Sequence, residues 1–428
     1  MLDFLKEPSE TPAIGEAMTR VSKRKEKGLP VFNFASGNVG QMPANIEFMN
    51  IQMSSGEDIP EELQNLSKAI QKGIKNAFEK PKGLSYSSTG GIDDQKRLTL
   101  KYFEEFHDVD HGDLERVIVT PGGQRALASS LRSIKEGTDI FMSQWEYAPS
   151  LPIIEDNNCN PIKIDVDDKL KLDINQLRDK VTEGSVFYTS MPNNPSGYVS
   201  PDLFRGIVET MVDNNGGVIW DAPYIFTTLK FEEGRFTFDD DFLGDQLDKF
   251  NSTLSEYSDH ICLLSSISKT CLVAGLRFGF ATGPKKWIDN MNNIIGREEL
   301  SSPTASFMIG QEVLSDFLKN KETYKWLDKI LANRLNVLME NDLPVILPDN
   351  GKFGSLYALI RTGDIDGRKF IEKAYEKYGV VPIPGEAFYG KPVNAMRISL
   401  VSTPWNEGDK GWKENVENLK KALSDITD

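Results

Sequence analysis

Cysteine and histidine are nearly missing from this 428-residue chain, with three of each. Cys159, Cys262 and Cys271 are sparse, odd in number and without CxxC spacing. That excludes a disulfide framework and points to a reducing, cytoplasmic compartment. Three histidines are too few for a histidine-based catalytic network. His107 and His111 in "HDVDHGD" stand four apart among acids, a spacing a metal could use. The stretch reads instead as a solvated connector ahead of a strand. Positive charge is also short: Lys and Arg total 49 against 64 Asp and Glu, a net charge of −15. This argues against nucleic acid or an anionic membrane as partner. No apolar run approaches the ~18 residues of a membrane helix. The opening "MLDFLKEPSETP" interrupts its apolar residues with acids and prolines, unlike a signal peptide. Repeats and low-complexity tracts are lacking.

What is present is an alternation. Short, continuous apolar runs, "RVIVT", "DIFMS", "SVFYTS", "GVIW", "HICLLSS" and "LRFGFATG", read as strands covered on both faces. Between them "QRALASSLRSIKEG" and "PDLFRGIVETMVDNNGG" carry helical periodicity. The pattern predicts an α/β fold: a large domain over residues 46–305 with a mostly parallel sheet under helices on both faces. A smaller α+β domain follows over 306–428, with long helices and then "SLYALI" and "AMRISLV". Residues 1–45, with weak periodicity, many charges and several prolines, form an arm that also contributes to the smaller domain.

In such sheets ligands sit at the carboxyl ends of the strands, and the chemically unusual residues cluster there. In "SSISKTCLVAGLRFGF", Lys269 and Arg277 are cations in an otherwise apolar stretch. Burial favours the neutral form of an amine, and a neutral amine attacks aldehydes. Arginine stays charged and suits a buried anion. Ser266 adds a hydroxyl. Gly122, Gly123 and Gln124 in "TPGGQRAL" open a helix whose N–H groups can face a phosphate. A plain strand-to-helix turn explains the same glycines. Asp221 in "WDAPY" ends a buried strand and needs a cationic partner such as a pyridinium N–H, or serves as a helix cap or ion pair. Tyr224 three residues on offers a phenol. Asn194 in "MPNNPSG" sits on a rigid turn. Arg397 in "AMRISL" is an arginine inside an apolar strand, suited to a bidentate carboxylate or to an internal salt bridge.

Taken in order, the phosphate turn, the Asn-Pro-x-Gly turn, Asp-x-x-Tyr, Ser-x-x-Lys with Arg eight residues later, and the late Arg resemble the class I/II aminotransferases of the fold-type I pyridoxal-phosphate enzymes. The resemblance implies that Lys269 links to the coenzyme and moves the substrate proton. It implies that Asp221 faces the ring nitrogen, that Asn194 and Tyr224 hold the ring hydroxyl oxygen, and that Gly122, Gly123, Gln124, Ser266 and Arg277 hold the phosphate. Arg397 would clamp the substrate carboxylate. Tyr86 in "LSYSSTGG" would reach the phosphate of a neighbouring subunit, which implies a homodimer with shared sites. Where the family has Pro-x-aromatic, this chain has "MSQWEYAPS"; Trp145 takes the ring-stacking position by spacing, with Tyr147 as the alternative. "ASGNVGQMP" is similar to a segment of valine–pyruvate aminotransferases, which would place Gly37 and Asn38 near the substrate carboxylate. The expected activity is ping-pong transamination between a small or apolar amino acid and a 2-oxo acid. A lyase, cyclase or decarboxylase on the same coenzyme, and a non-catalytic coenzyme-binding regulator, are the alternatives. Arg297 in "IIGREELSSPT" is either a second cation for a dicarboxylic substrate or a solvated charge satisfied by Glu298 and Glu299.

Overall fold

The computed structural model describes residues 11–41, 60–79, 81–109, 112–404 and 407–427. Its centre is a seven-stranded sheet in the spatial order Val117–Pro121, Phe278–Thr282, Ile261–Ser266, Gly217–Asp221, Val186–Ser190, Asp139–Ser143, Asn160–Ile164. Six strands run parallel to one another. Phe278–Thr282 runs antiparallel to both its neighbours. The apolar runs are continuous because alternate residues enter two different cores. Val119, Phe141, Phe187, Trp220, Leu263 and Phe280 pack on one face. Ile118, Ile140, Met142, Tyr188, Cys262 and Leu264 pack on the other. Each such buried apolar side chain contributes ~1.5–3 kcal/mol, so a charge in these runs needs a reason.

Local chemistry starts the helices where the sequence predicts them. Ser200 caps Pro201–Asp213 by accepting from the Leu203 N–H at 3.2 Å, with proline at the first helical position. Gly122 precedes helix Gly123–Arg132. The run beyond residue 303 forms two helices, Thr304–Asn320 and Thr323–Glu340, parted at Lys321 in left-handed backbone. The first packs against helix Glu61–Glu79 and, through Gly310, against Phe278.

The smaller sheet pairs Tyr357–Arg361, Ala395–Ser399 and Ile383–Pro384 antiparallel. Near the start of the chain, helix Ala13–Glu26 packs beside it, and Phe32–Asn33 pairs in parallel with Val380–Val381. Ser399 N–H then donates to Phe34 O at 2.7 Å, carrying residues 34–37 toward the edge of the large sheet.

One expectation is overturned here. His107 is not a solvated loop residue. It ends helix Asp93–His107 fully buried, 5.7 Å from the Trp220 ring and beside Tyr102, and burial pushes its pKa down to about 3. The periodicity of "KYFEEFH" simply continues one residue further than the acids after it suggested. His111 lies outside the described residues. All three cysteines are buried and unpaired. Among the described residues no cluster has the makings of a metal site, and no helix is long and apolar enough to cross a membrane.

Candidate active site

The antiparallel strand explains the spacing of the two cations. Ile261–Ser266 delivers Lys269 to the carboxyl edge of the sheet, on the one-turn helix Ile267–Thr270, whose Ser268 N–H is taken by Ser266 Oγ at 3.3 Å. The chain loops once and re-enters the sheet in the opposite sense, with Gly279 opposite Ser266. Arg277, just before that strand, therefore returns to the same edge. It stands at φ +53° and donates to Ala274 O at 2.9 Å. Gly122, at φ +84°, faces it: a Cβ there would lie 2.5 Å from Arg277 Nη2. Left-handed backbone and lack of room both demand glycine. With Gly123 and Gln124 at the helix start and Ser266 opposite, these groups make one cationic, N–H-rich end of a cleft.

The middle of the cleft is acidic and buried. Asp221 is 7% exposed, and its Oδ2 accepts only a 3.4 Å bond from Tyr188. Burial pushes its carboxyl up to about 7. Tyr224, Pro223 and Lys269 line the cleft beside it. Lys269 Nζ donates to Gly37 O at 3.0 Å, so the first part of the chain closes over the lysine.

The third feature is Arg397. It is 5% exposed, donating from Nη1 to Asn194 Oδ1 at 3.3 Å and from Nη2 to Ala35 O at 3.0 Å. Its Nε has no partner. No carboxylate among the described residues pairs with it, which removes the internal-salt-bridge alternative. The ring of Phe388 lies 4.8 Å from its guanidinium carbon. The turn carrying Phe388 is tied to the large sheet by Lys163, which donates to the Phe388 and Tyr389 carbonyls at 2.9 and 2.8 Å.

Lys269, Asp221, Asn194, Tyr224, Gly123, Gln124, Ser266 and Arg277 thus line one cleft, with Gly122 and Gly37 against it. Other residues fall elsewhere. Trp145 is turned away into the cluster of Tyr389 and Ile383, its ring 4.7 Å from Tyr389. Tyr147 is on the cleft wall instead, held by Gln124 Oε1 at 2.9 Å. Of the two candidate aromatics, Tyr147 and not Trp145 lines the cleft. Asn38 is exposed and spends its Oδ1 on the Gly40 N–H. Tyr86 is 85% exposed on the outer surface beside Leu84 and the 301–304 segment. Arg297 is exposed, and its expected partners are taken: Glu298 pairs with Arg125 and Arg132, and Glu299 with Arg125.

Glu146, Ser190 and Tyr357 escaped the sequence reading. Glu146 is buried between the two aromatics, accepting from Tyr147 N–H at 2.7 Å, Ser190 N–H at 3.2 Å, Asn193 Nδ2 at 3.3 Å and the Ser190 hydroxyl. Burial pushes it up to about 8. The signal was available: an acid flanked by aromatics at a strand end deserves the same question as Asp221. Tyr357 is visible only once strand register is known.

The profile of the family described as aminotransferase class I and II matches residues 50–407. The chain belongs to this family. An aspartate aminotransferase of Pyrococcus horikoshii is 24% identical over 401 residues, 87% of this chain and 90% of the relative. A probable aspartate/prephenate aminotransferase of Rickettsia bellii is 23% identical, covering 79% and 84%. Among solved structures, the Thermus thermophilus aspartate aminotransferase with maleate superposes with TM-score 0.77 at 16% identity, over 98% of this chain and 100% of that one. The Thermotoga maritima aspartate aminotransferase gives 0.75 at 18%, covering 97% and 98%. This chain is accordingly an α/β pyridoxal-phosphate-dependent aminotransferase; its similarity to valine–pyruvate enzymes finds no counterpart among these relatives.

The aminotransferase cleft fits the coenzyme on its own chemistry. A buried carboxyl with no cationic partner among the described residues matches a pyridine N–H. A glycine turn at a helix start, with an arginine that no acid among the described residues pairs, matches a phosphate dianion. An amine between them matches an aldehyde.

Proposed function

We propose that this aminotransferase exchanges the amino group of a small or apolar amino acid for the oxygen of a 2-oxo acid, in two alternating half-reactions. When bound, pyridoxal phosphate supplies an electrophilic carbonyl carbon and a ring that accepts electrons from the substrate α-carbon. The observation that carries the reading is the arrangement of Lys269, Asp221 and Arg277 around one cleft, with Arg397 buried and free of any acid at its rim. Lys269 Nζ would engage the coenzyme and then hold and return the α-proton. Asp221 would keep the ring nitrogen protonated. Asn194 and Tyr224 would orient the ring hydroxyl oxygen, and Gly122, Gly123, Gln124, Ser266 and Arg277 would hold the phosphate. Tyr147, rather than Trp145, would cover the ring face. Arg397 would take the substrate carboxylate edge-on, with Gly37 beside it and Asn38 on the outer rim.

The preference for a small or apolar side chain rests on cation count. Lys269, Arg277 and Arg397 each have a task, and among the described residues no cation besides Lys269 and Arg277 lines the cleft. A dicarboxylate reading is favoured by the names of the relatives and by Arg297, exposed and without its expected acids. It needs a second copy of the chain. The exposure of Leu84, Tyr86 and Leu300, at 79%, 85% and 67%, with Leu84 and Tyr86 beside Ser301 and Thr304, supports such a homodimer, with Tyr86 reaching the other copy's phosphate end.

The test is a panel of amino acids added to the coenzyme-loaded protein, following loss of coenzyme absorption, formation of pyridoxamine phosphate and the oxo acid released. Faster reaction with alanine or valine than with aspartate or glutamate supports the proposal. Preference for aspartate, lost in Arg297→Ala, moves the assignment to dicarboxylates. An unchanged spectrum with every amino acid sinks both.

A further inference from the structure

Tyr357 lies against Arg397, Gly37 and Tyr224 at the cleft's substrate end, yet nothing above gives it a task. It is buried on strand Tyr357–Arg361, diagonally across from Arg397 in the antiparallel register that sets Leu359 opposite Arg397. Its ring centroid is 4.0 Å from the Arg397 guanidinium carbon, and Phe388 lies 4.8 Å from the same carbon. A ring this close over a planar cation turns its hydrogen bonds toward the edge. Part of that edge is occupied by Asn194 and Ala35, and Nε is unpaired. The plane in which a carboxylate can dock is therefore set by the ring of Tyr357.

The hydroxyl points the other way. A Cβ on Gly37 would lie 1.9 Å from Tyr357 Oη, so only glycine fits against it. Gly37 is also the residue whose carbonyl holds Lys269. The Tyr224 and Tyr357 rings meet edge to face with centroids 6.0 Å apart, and, against burial, which would raise it, the charges of Lys269 and Arg397 hold the Tyr357 phenol below its ordinary value.

We propose that Tyr357 is a positioning residue that couples the carboxylate clamp to the coenzyme: its ring fixes the plane of Arg397, and its hydroxyl fixes the phenol of Tyr224 beside Lys269. The inference rests on the aminotransferase reading of the cleft. The two halves separate by substitution. Tyr357→Phe keeps the ring and removes the hydroxyl. Tyr357→Leu removes both.

The experiment measures kcat and KM for the best amino acid, and the pH midpoint of the bound coenzyme's absorption change, in wild type and both variants. Tyr357→Phe is expected to shift the midpoint by roughly half a pH unit or more while KM stays within about twofold, since the cation–ring contact survives. Tyr357→Leu is expected to shift the midpoint similarly and to raise KM about tenfold, more than it lowers kcat. The groups facing the phenol and able to contribute to the midpoint are Lys269, Tyr224, Arg397 and Tyr147. A Tyr357→Phe protein with the wild-type midpoint overturns the hydroxyl's role, and this isosteric variant decides it even if Tyr357→Leu fails to fold. An unchanged KM in folded Tyr357→Leu overturns the ring's role. Wild-type protein that never reacts with an amino acid is a different result, and it defeats the aminotransferase reading rather than the place of Tyr357.

Discussion

The two ends of the cleft are built differently. The proposed phosphate end is made from short stretches at strand ends of one sheet: Gly122 to Gln124, Ser266 and Arg277. Its chemistry is mostly that of backbone N–H groups and a glycine turn. The proposed carboxylate end gathers Gly37, Asn194, Tyr357 and Arg397 from four distant parts of the chain. There, nearly every contact is between side chains or crosses between sheets. The first end is preorganised by local geometry. The second exists only when the smaller sheet is docked, which makes it the part that can tune substrate choice without loosening the coenzyme.

This contrast can be broken at its junction. Lys269→Ala removes the group shared by both ends and is expected to lower turnover about 10³-fold or more. Coenzyme should still bind, read as absorption lost on dialysis rather than retained. Next in size is Arg397→Leu. Losing a charged hydrogen-bond partner for a carboxylate should raise KM ~10–100-fold and leave coenzyme affinity near wild type, measured by titrating the apoprotein. The complementary change, Arg277→Ala, is expected to weaken coenzyme retention ~10-fold with little effect on KM once saturated. Should Arg277→Ala raise KM and Arg397→Leu release coenzyme, the division between the ends is wrong.

The smallest effect sharpens the middle of the cleft. Glu146 is pushed up to about 8 and Asp221 to about 7, both by burial. An unfolded carboxyl releases its proton near pH ~4. Between that value and the folded one, the native protein holds a proton the unfolded chain has lost. Stability of the apoprotein therefore falls as pH rises, by about 1.4 kcal/mol per unit per group. Glu146→Gln removes one of the two contributions. Its melting temperature should decline less than that of wild type between pH 5 and 8, while Asp221 keeps the remainder of the slope below about 7. Identical slopes would mean that Glu146 is already ionised, held by its four donors.

The legibility of the site follows the same division. Gly122 and Gly123, Asp221, Asn194, Ser266 and Lys269 were readable because each follows a recognisable apolar run, and Arg277 because it opens the antiparallel one. Strand ends in a parallel sheet share one edge. The His107 reading failed because acids nearby were weighed above a helical period that ran on to include it. Trp145 was chosen by spacing, but the chain after Ser143 turns so that Trp145 meets Tyr389 and Tyr147 meets Gln124. One of the two readings of Arg297 paired it with Glu298 and Glu299, whereas those acids reach Arg125 and Arg132 on another helix.

By itself, then, the order of residues determined the α/β alternation, the coenzyme it serves and the chemistry of the strand ends. Those depend on periodicities and turn residues that act within a few positions. Which aromatic faces the cleft, what closes over Lys269 and what holds Arg397 flat were decided by tertiary structure alone. Those contacts join residues up to 362 positions apart, such as Ala35 with Arg397. Only packing of the two sheets brings them within a few ångströms.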